Sequence, residues 1–329
     1  MKNNQIGIVG VGYWATNIIN TLEQIKFKNI HCYDISSSNI LSLKKKFPYI
    51  KIYKNIDDLL KLNLLGVIIT TNTQNHFPIA KKCLENNHNI FVEKPVTDSS
   101  LKIKKLIKLA KNKKKVFMSG YIYRYNVYIK YIKNILSQGT LGDINYVSFE
   151  RANLGPVRND ISCIFDLASH DISTCIYFFK KNIKIIDAFG LTFLKKKIYD
   201  ISTIILRANK TRVEIKSSWL NPEKIRKIII VGSKKMLLFN EMDKDNPIKI
   251  YNKYAKYPKI SSFQKKFFTP KANIYYGKTF SPSIKFTSPL TLEMLAFINC
   301  VKKKKKPETD GSLSLKIMTL LEKINIKIS

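Results

Sequence analysis

Arginine is nearly missing from a chain that is otherwise strongly basic. Of 58 lysines and arginines only six are arginine, set against 23 acidic residues, for a formal net charge of +35. Arginine is the side chain suited to bidentate contacts with phosphate and guanine. The excess of lysine, accompanied by much isoleucine and asparagine, therefore reads as the coding bias of an A+T-rich genome. No specific nucleic-acid partner is expected, although the charge would draw in anionic small molecules. Cysteine is equally uninformative as a framework: Cys32, Cys83, Cys163, Cys175 and Cys300 are scattered, odd in number and free of CxxC spacing. That excludes a disulfide scaffold and a structural zinc site, and it points to a reducing, cytoplasmic setting. Only four histidines occur, with no HExxH pattern, so no metal site is expected. Lysine or asparagine interrupts every apolar run well short of the ~20 residues a membrane span needs, so no membrane partner is expected. The start, "MKNNQ", passes directly into a strand pattern without the features of a signal peptide. No internal repeat is present.

What is there falls into two rhythms. At 329 residues the chain is long enough for two cores. Over residues 1–120, short apolar runs (Ile6–Val9, Ile30–Tyr33, Val67–Thr70, Asn89–Val92, Val116–Met118) alternate with helical patterns (Trp14–Ile25, Asn39–Lys46, Ile79–Asn86, Leu101–Ala110). That alternation predicts an α/β Rossmann-type domain, a doubly wound parallel sheet. Over residues 121–329 the pattern changes to long alternating segments such as "INYVSFERANL", "ISTIILRAN" and "IRKIIIVGSKKMLLF". These predict an α+β domain with an open, largely antiparallel sheet, whose uncovered face is expected to serve oligomerisation. Asp243–Pro289 shows weak periodicity and is read as a long excursion. Helices near Leu290–Val301 and Ser312–Ile324 close the chain and are candidates to pack back on the first domain.

The segment "GIVGVGYWATN" places Gly10, Gly12 and Ala15 in a G-x-G-x-x-A pattern between a strand and a helix. Gly10 permits the tight turn, Gly12 lets a pyrophosphate approach the backbone, and Ala15 lets the helix pack on the strand. The first amides of the helix then meet the phosphates. Asp34, at the end of the next strand, can accept hydrogen bonds from an adenosine ribose diol. A 2′-phosphate would sit beside a like charge, and "ISSS" offers no arginine to receive it. NAD is favoured over NADP.

Lys94 ends the strand "NIFVEKP", and ligands of open α/β sheets bind beyond the carboxyl ends of the strands. A lysine there can donate to a substrate hydroxyl or relay its proton, on a turn made rigid, and open to a cis bond, by Pro95. In "NDISCIFDLASHDISTCIYFF", Ile161, Phe165, Ala168, Ile172 and Phe179 recur at helical spacing and mark a buried face. Asp166 and His170, four apart, project from another. A carboxylate beside an imidazole orients the ring and stabilises its protonated form, a general-base arrangement. An exposed lysine and an exposed polar pair remain the bland alternatives.

Together "GIVGVGYWATN", "TTNTQNHFPIA", "VEKP" and "DLASHDI" resemble the Gfo/Idh/MocA oxidoreductase family over essentially the whole chain. The resemblance implies a Rossmann domain followed by an open-sheet substrate domain. It implies that Lys94, Asp166 and His170 line the site of hydride transfer, and that Thr71, Asn72 and His76 pass near the nicotinamide half of the cofactor. Tyr13 and Trp14, inside the glycine motif, and Glu93, beside Lys94, are counted with the cofactor site. Ala15 and Asn72 stand where the family usually has glycine and proline; neither change removes a reactive group. "GYW", "ERANLGPVRND" and "SSWLNPEKIRKI" look most like the nucleotide-sugar branch, near the UDP-N-acetyl-hexosamine and hexosaminuronate 3-dehydrogenases. Arg151, Arg158, Lys94 and His170 are then the candidate substrate contacts, the arginines suiting a diphosphate or carboxylate. The alternatives are a free cyclitol or aldose dehydrogenase, and a non-catalytic cofactor-sensing or nucleic-acid-binding protein on the same scaffold. A homodimer or homotetramer is expected.

Overall fold

β-branched runs of four residues, buried on both faces, need a neighbour on each side and a helix above and below. The computed structural model, which describes residues 4–180, 182–196, 198–258 and 271–328, satisfies that need in its first part. Strands β1 (Ile6–Val9), β2 (Ile30–Tyr33), β3 (Lys51–Ile52), β4 (Gly66–Ile69), β5 (Ile90–Glu93) and β6 (Phe117–Gly120) form one parallel sheet in the order β3-β2-β1-β4-β5-β6. Helices α1 (Tyr13–Gln24), α2 (Ser37–Lys46), α3 (Ile56–Leu60), α4 (Thr73–Glu85) and α5 (Ser100–Asn112) make the crossovers. The strand order reverses direction between β1 and β4, and the crevice at their carboxyl ends is where such sheets take ligands. Ile6, Ile8, Ile18, Ile19 and Leu22 are buried in a core shared with Leu290, Met294 and Phe297 of the helix Pro289–Lys302. The first compact unit accordingly comprises Met1–Asn126 and Phe286–Lys323.

Two local expectations change here. β3 is only two residues long and too short to carry a pattern. Helix α4 begins six residues earlier than the sequence suggested and runs through Pro78. A proline costs its helix one hydrogen bond and a clash, so the sequence pattern places the start after Pro78. The real start brings Asn72 to the N-cap and His76 into the first turn.

The second unit comprises Val127–Lys285 and Ile324–Ser329. After α6 (Val127–Ser137), strands β7 (Ile144–Ala152), β8 (Ile183–Leu191), β9 (Ile201–Ala208), β10 (Thr211–Ser218), β11 (Ile225–Gly232), β12 (Met236–Asn240), β13 (Ile248–Lys256) and β14 (Asn273–Phe280) build one sheet. Its order is β14-β13-β12-β11-β7-β10-β9-β8, antiparallel throughout except for the parallel pair β7 and β10. Alternate residues Val147, Phe149, Ile204, Leu206, Val213, Ile215, Ile228, Ile230, Leu237 and Phe239 are buried. Against them pack α6 and α7 (Ser169–Phe179), through pairs such as Tyr128 with Phe239 and Phe178 with Phe149. The other face carries partly exposed Ile205, Ile229 and Leu238.

The expected excursion Asp243–Pro289 instead contains β13 and β14, while its residues 259–270 lie outside the described ones. β14 is an edge strand exposed along almost its whole length, so it has no buried face to leave an alternating signature. The helical segment also differs from its expected face. Ala168 and Ile172 are buried, but Ile161, Phe165 and Phe179 are only half-buried. A π turn at Ile164–Ala168 inserts one extra residue and shifts the register. Ile164, Leu167, Ala168, Ile172 and Cys175 face the core instead.

Candidate functional site

In the first unit, Gly10 leaves β1 with φ +89°, and a Cβ there would lie 2.6 Å from Thr71 Cγ2 and 2.8 Å from the Thr71 amide nitrogen. The Thr70 hydroxyl donates to the Gly10 carbonyl at 2.5 Å, so the turns after β1 and β4 are tied together. Gly12 is different: its φ of −70° is ordinary and a Cβ would meet nothing within 4 Å. Its missing side chain leaves open space at the start of α1, where no side chain caps the helix and no acidic residue stands in the first turn. These are the features a pyrophosphate requires. Asp34, half-buried beyond β2, accepts from the Val11 amide through Oδ2 at 2.6 Å and from the Ser36 amide through Oδ1 at 2.7 Å. It holds the glycine turn and the start of the next loop together. NAD fits the residues present: the α1 amides and Asp34 would hold it.

Lys94 follows β5 directly, its peptide bond to Pro95 is cis, and its side chain is half-buried. Glu93 is buried; its Oε1 accepts from Trp14 Nε1 at 2.6 Å and its Oε2 from the Lys94 amide at 3.1 Å. Trp14, Glu93 and Lys94 are thus one connected group. Tyr13, 84% exposed, extends into solvent from the first residue of α1, and Asn72 is an exposed N-cap. His76 departs from its expected role as a cofactor contact. It is 1% exposed, with Nδ1 2.9 Å from the Pro95 carbonyl and Nε2 2.8 Å from the Thr71 carbonyl. A ring enclosed by two backbone carbonyls acts as a brace between the β4 turn and the turn after Lys94.

In the second unit, Asp166 sits in the π turn and His170 in the first turn of α7, one helical turn apart. Asp166 Oδ2 accepts from the indole of buried Trp219 at 3.2 Å, and its Oδ1 lies 3.9 Å from Arg158. Arg158 also pairs bidentately with Asp160, at 2.6 and 2.9 Å. Around Asp166 the segments "ERANLGPVRND" and "SSWLNPEKIRKI" meet: Arg226 donates to Asn153 Oδ1 at 2.6 Å, and the Asn153 amide donates to the Ser218 carbonyl. Arg151 does not present its charge as expected of a substrate contact. It is 5% exposed and forks onto Asp171 at 2.7 and 2.9 Å, a buried ion pair that fixes β7 to α7. A buried arginine requires such a partner, and Asp171 is the neighbour of His170 that spacing alone passed over. Among the described residues, no group of three or more His, Cys, Asp or Glu side chains could hold a metal ion.

Sequence reasoning also missed Glu293, fully buried on the helix Pro289–Lys302. The signal was present, because Glu293 lies on the stripe of Leu290, Met294, Phe297 and Ile298, where a charge is out of place.

Comparison with known proteins adds to this geometry. The family model described as oxidoreductase family, NAD-binding Rossmann fold, matches residues 4–121, and that of the GFO/IDH/MocA C-terminal domain matches residues 129–238. A myo-inositol 2-dehydrogenase of Thermotoga maritima is 20% identical over 215 residues, a match covering 62% of this chain and 64% of that protein. Among solved structures, the UDP-N-acetylglucosamine 3-dehydrogenase GnnA of Acidithiobacillus ferrooxidans superposes with a TM-score of 0.80 at 18% identity, covering 100% of this chain and 98% of that one. The WlbA dehydrogenase of Bordetella pertussis, in complex with NADH and UDP-GlcNAcA, superposes with a TM-score of 0.78 at 17% identity, covering 99% and 97%. At these identities the likeness to the solved structures is one of fold.

Proposed function

The chain belongs to the Gfo/Idh/MocA oxidoreductase family, and we propose that it is an NAD-dependent dehydrogenase acting on a secondary hydroxyl of a nucleotide-linked sugar. The observation that carries the reading is the connected group at the end of β5, where Lys94 is held by Glu93, which in turn holds Trp14 of the cofactor helix. Bound NAD would supply the hydride acceptor. The amides at the start of α1 take its pyrophosphate and Asp34 its adenosine ribose. His170 is the base for the hydroxyl proton, oriented within its turn by Asp166, and Lys94 donates to the reacting oxygen. Asp166 accepts from the Trp219 indole, so a segment that carries the nucleotide-sugar likeness touches the acid of the proposed pair. Arg158, beside Asp166, is the candidate for an anionic group of the substrate.

The likeness to a myo-inositol 2-dehydrogenase favours the second reading, a free cyclitol or aldose as substrate. A thermal-shift screen of UDP-N-acetyl-hexosamines, UDP-hexosaminuronates, cyclitols and aldoses, each with NAD, decides between them. The proposal expects a UDP-sugar to raise Tm in the presence of NAD and to yield NADH. NADH formed from a cyclitol or aldose, with no response to any UDP-sugar, refutes it in favour of the second reading.

A further inference from the structure

Glu293 is fully buried, and among the described residues neither of its carboxyl oxygens has a hydrogen-bond partner. Its helix, Pro289–Lys302, otherwise turns Leu290, Met294 and Phe297 to the same core, and Phe297, one turn beyond Glu293, packs on Phe91, two residues before Glu93 on β5, with ring centroids 5.7 Å apart. A bare carboxylate in such a place is strongly disfavoured. Burial pushes the Glu293 carboxyl well above the usual carboxylate range, and the neighbouring Glu93 carboxylate pushes it further.

Glu93 has what Glu293 lacks, the two N–H donors of Trp14 and Lys94. Its carboxylate is packed over Gly120, its register partner on β6, where a Cβ would come within 2.6 Å of Oε2. The glycine makes the room. Burial raises Glu93 to about 7, with the indole, the Lys94 amide and the Lys94 charge acting in the opposite direction. The other titratable neighbours are the phenols of Tyr121 and Tyr125, both held neutral chiefly by burial, with Glu308 and Cys300 acting on Tyr125.

We propose that Glu293 and Glu93 form a buried carboxylic acid pair that keeps a proton on Glu293 and the negative charge on Glu93. Two adjacent buried carboxyl groups do not both ionise readily, and the charge settles on the one with N–H donors. A charged Glu93 accepts from both Trp14 and Lys94 and so links the cofactor helix to the backbone of the reactive lysine. When Glu93 takes up a proton, one oxygen becomes a donor and half of that link is lost. The significance for turnover rests on the dehydrogenase reading above; the pair itself needs neither NAD nor substrate.

The test is therefore made without ligand. Trp14 and Trp219 are the only tryptophans, so a Trp219→Phe background isolates the indole that touches Glu93. Its emission should titrate with a midpoint near neutral pH, keep that transition in Glu293→Gln and lose it in Glu93→Gln. Urea unfolding followed by the same indole reads the proton on Glu293. A carboxyl raised by folding stabilises the native state fully only below its unfolded value, and that contribution is lost as pH rises toward the folded value. Glu293→Gln removes this loss. Its folding constant relative to the wild type should rise with pH above the ordinary carboxyl range, by at most about tenfold per pH unit. A Trp14 transition that survives Glu93→Gln overturns the proposal. So does a ratio of folding constants that is flat with pH, whether Glu293→Gln is more or less stable.

Discussion

Replacing Asp34 with alanine should change which cofactor the first unit accepts, and the size of the change can be worked from its contacts. In the wild type the carboxylate accepts from the Val11 and Ser36 amides at 2.6 and 2.7 Å, with Asn39 Nδ2 on Oδ2 at 3.2 Å. Lone pairs remain for a ribose diol, and a hydrogen bond to a charged acceptor contributes about 1.5–3 kcal/mol. Asp34→Ala should therefore weaken NAD binding by about 10- to 100-fold. A 2′-phosphate about 4 Å from the carboxylate, at an effective dielectric near 20, meets a repulsion of about 4 kcal/mol before screening. Asp34 is half-buried, so screening removes part of this, and wild-type NADP binding should be at least about tenfold weaker than NAD binding. In Asp34→Ala that gap should close or reverse. Two amides lose their acceptor as well, which should lower stability by about 1–3 kcal/mol and shift Tm without ligand. Isothermal titration calorimetry with both cofactors measures the first effect, and urea unfolding the second. Equal wild-type affinities for NAD and NADP, or an unchanged ratio in Asp34→Ala, would refute the charge argument.

The two motif glycines should fail in different ways: Gly10→Ala, strained at φ +89° and against Thr71, should lose about 1–3 kcal/mol in urea unfolding. Gly12→Val, with open space around it, should keep its Tm and lose NAD affinity tenfold or more by calorimetry. Lys94→Met should preserve folding and NAD binding while lowering turnover about 10²-fold, the usual range for lost acid–base help. His170→Ala should do the same, with the double variant losing less than the product; normal turnover in Lys94→Met would make the lysine a structural strand terminus. The uncovered face of the second sheet exposes Ile229, and its edge strand β8 exposes Ile186 and Phe189; we propose this side as the interface between copies of the chain. Light scattering should show a two-fold symmetric dimer or tetramer, and Ile229→Lys with Phe189→Lys should reduce the mass; a wild-type monomer at micromolar concentration counts against this.

The sequence alone determined what depends on local periodicity and on residues that tolerate no substitute. The four-residue strands, the crossover helices α1, α2 and α5, the glycine turn and Asp34 were legible, because each is fixed by its neighbours within about twenty positions, whereas α3 left no signal and α4 only its second half. Lys94 was legible as a strand end, and the antiparallel sheet as an alternation of long segments. What stayed hidden depends on partners far along the chain. The exposed strand β14 pairs only with β13 and buries no face, so its residues carry no pattern. The π turn displaced the expected face of the Asp166 helix by one residue, a shift no periodicity forecasts. Arg151 looked like a substrate contact until Asp171, twenty residues away, was found in its fork. His76 looked like a cofactor contact until both of its nitrogens met backbone carbonyls. Glu93 and Glu293 lie two hundred positions apart, and only the packing of a late helix into the first unit, Phe297 against Phe91, brings them into the same core. Burial then sets their protonation, and burial belongs to the folded state, not to either residue.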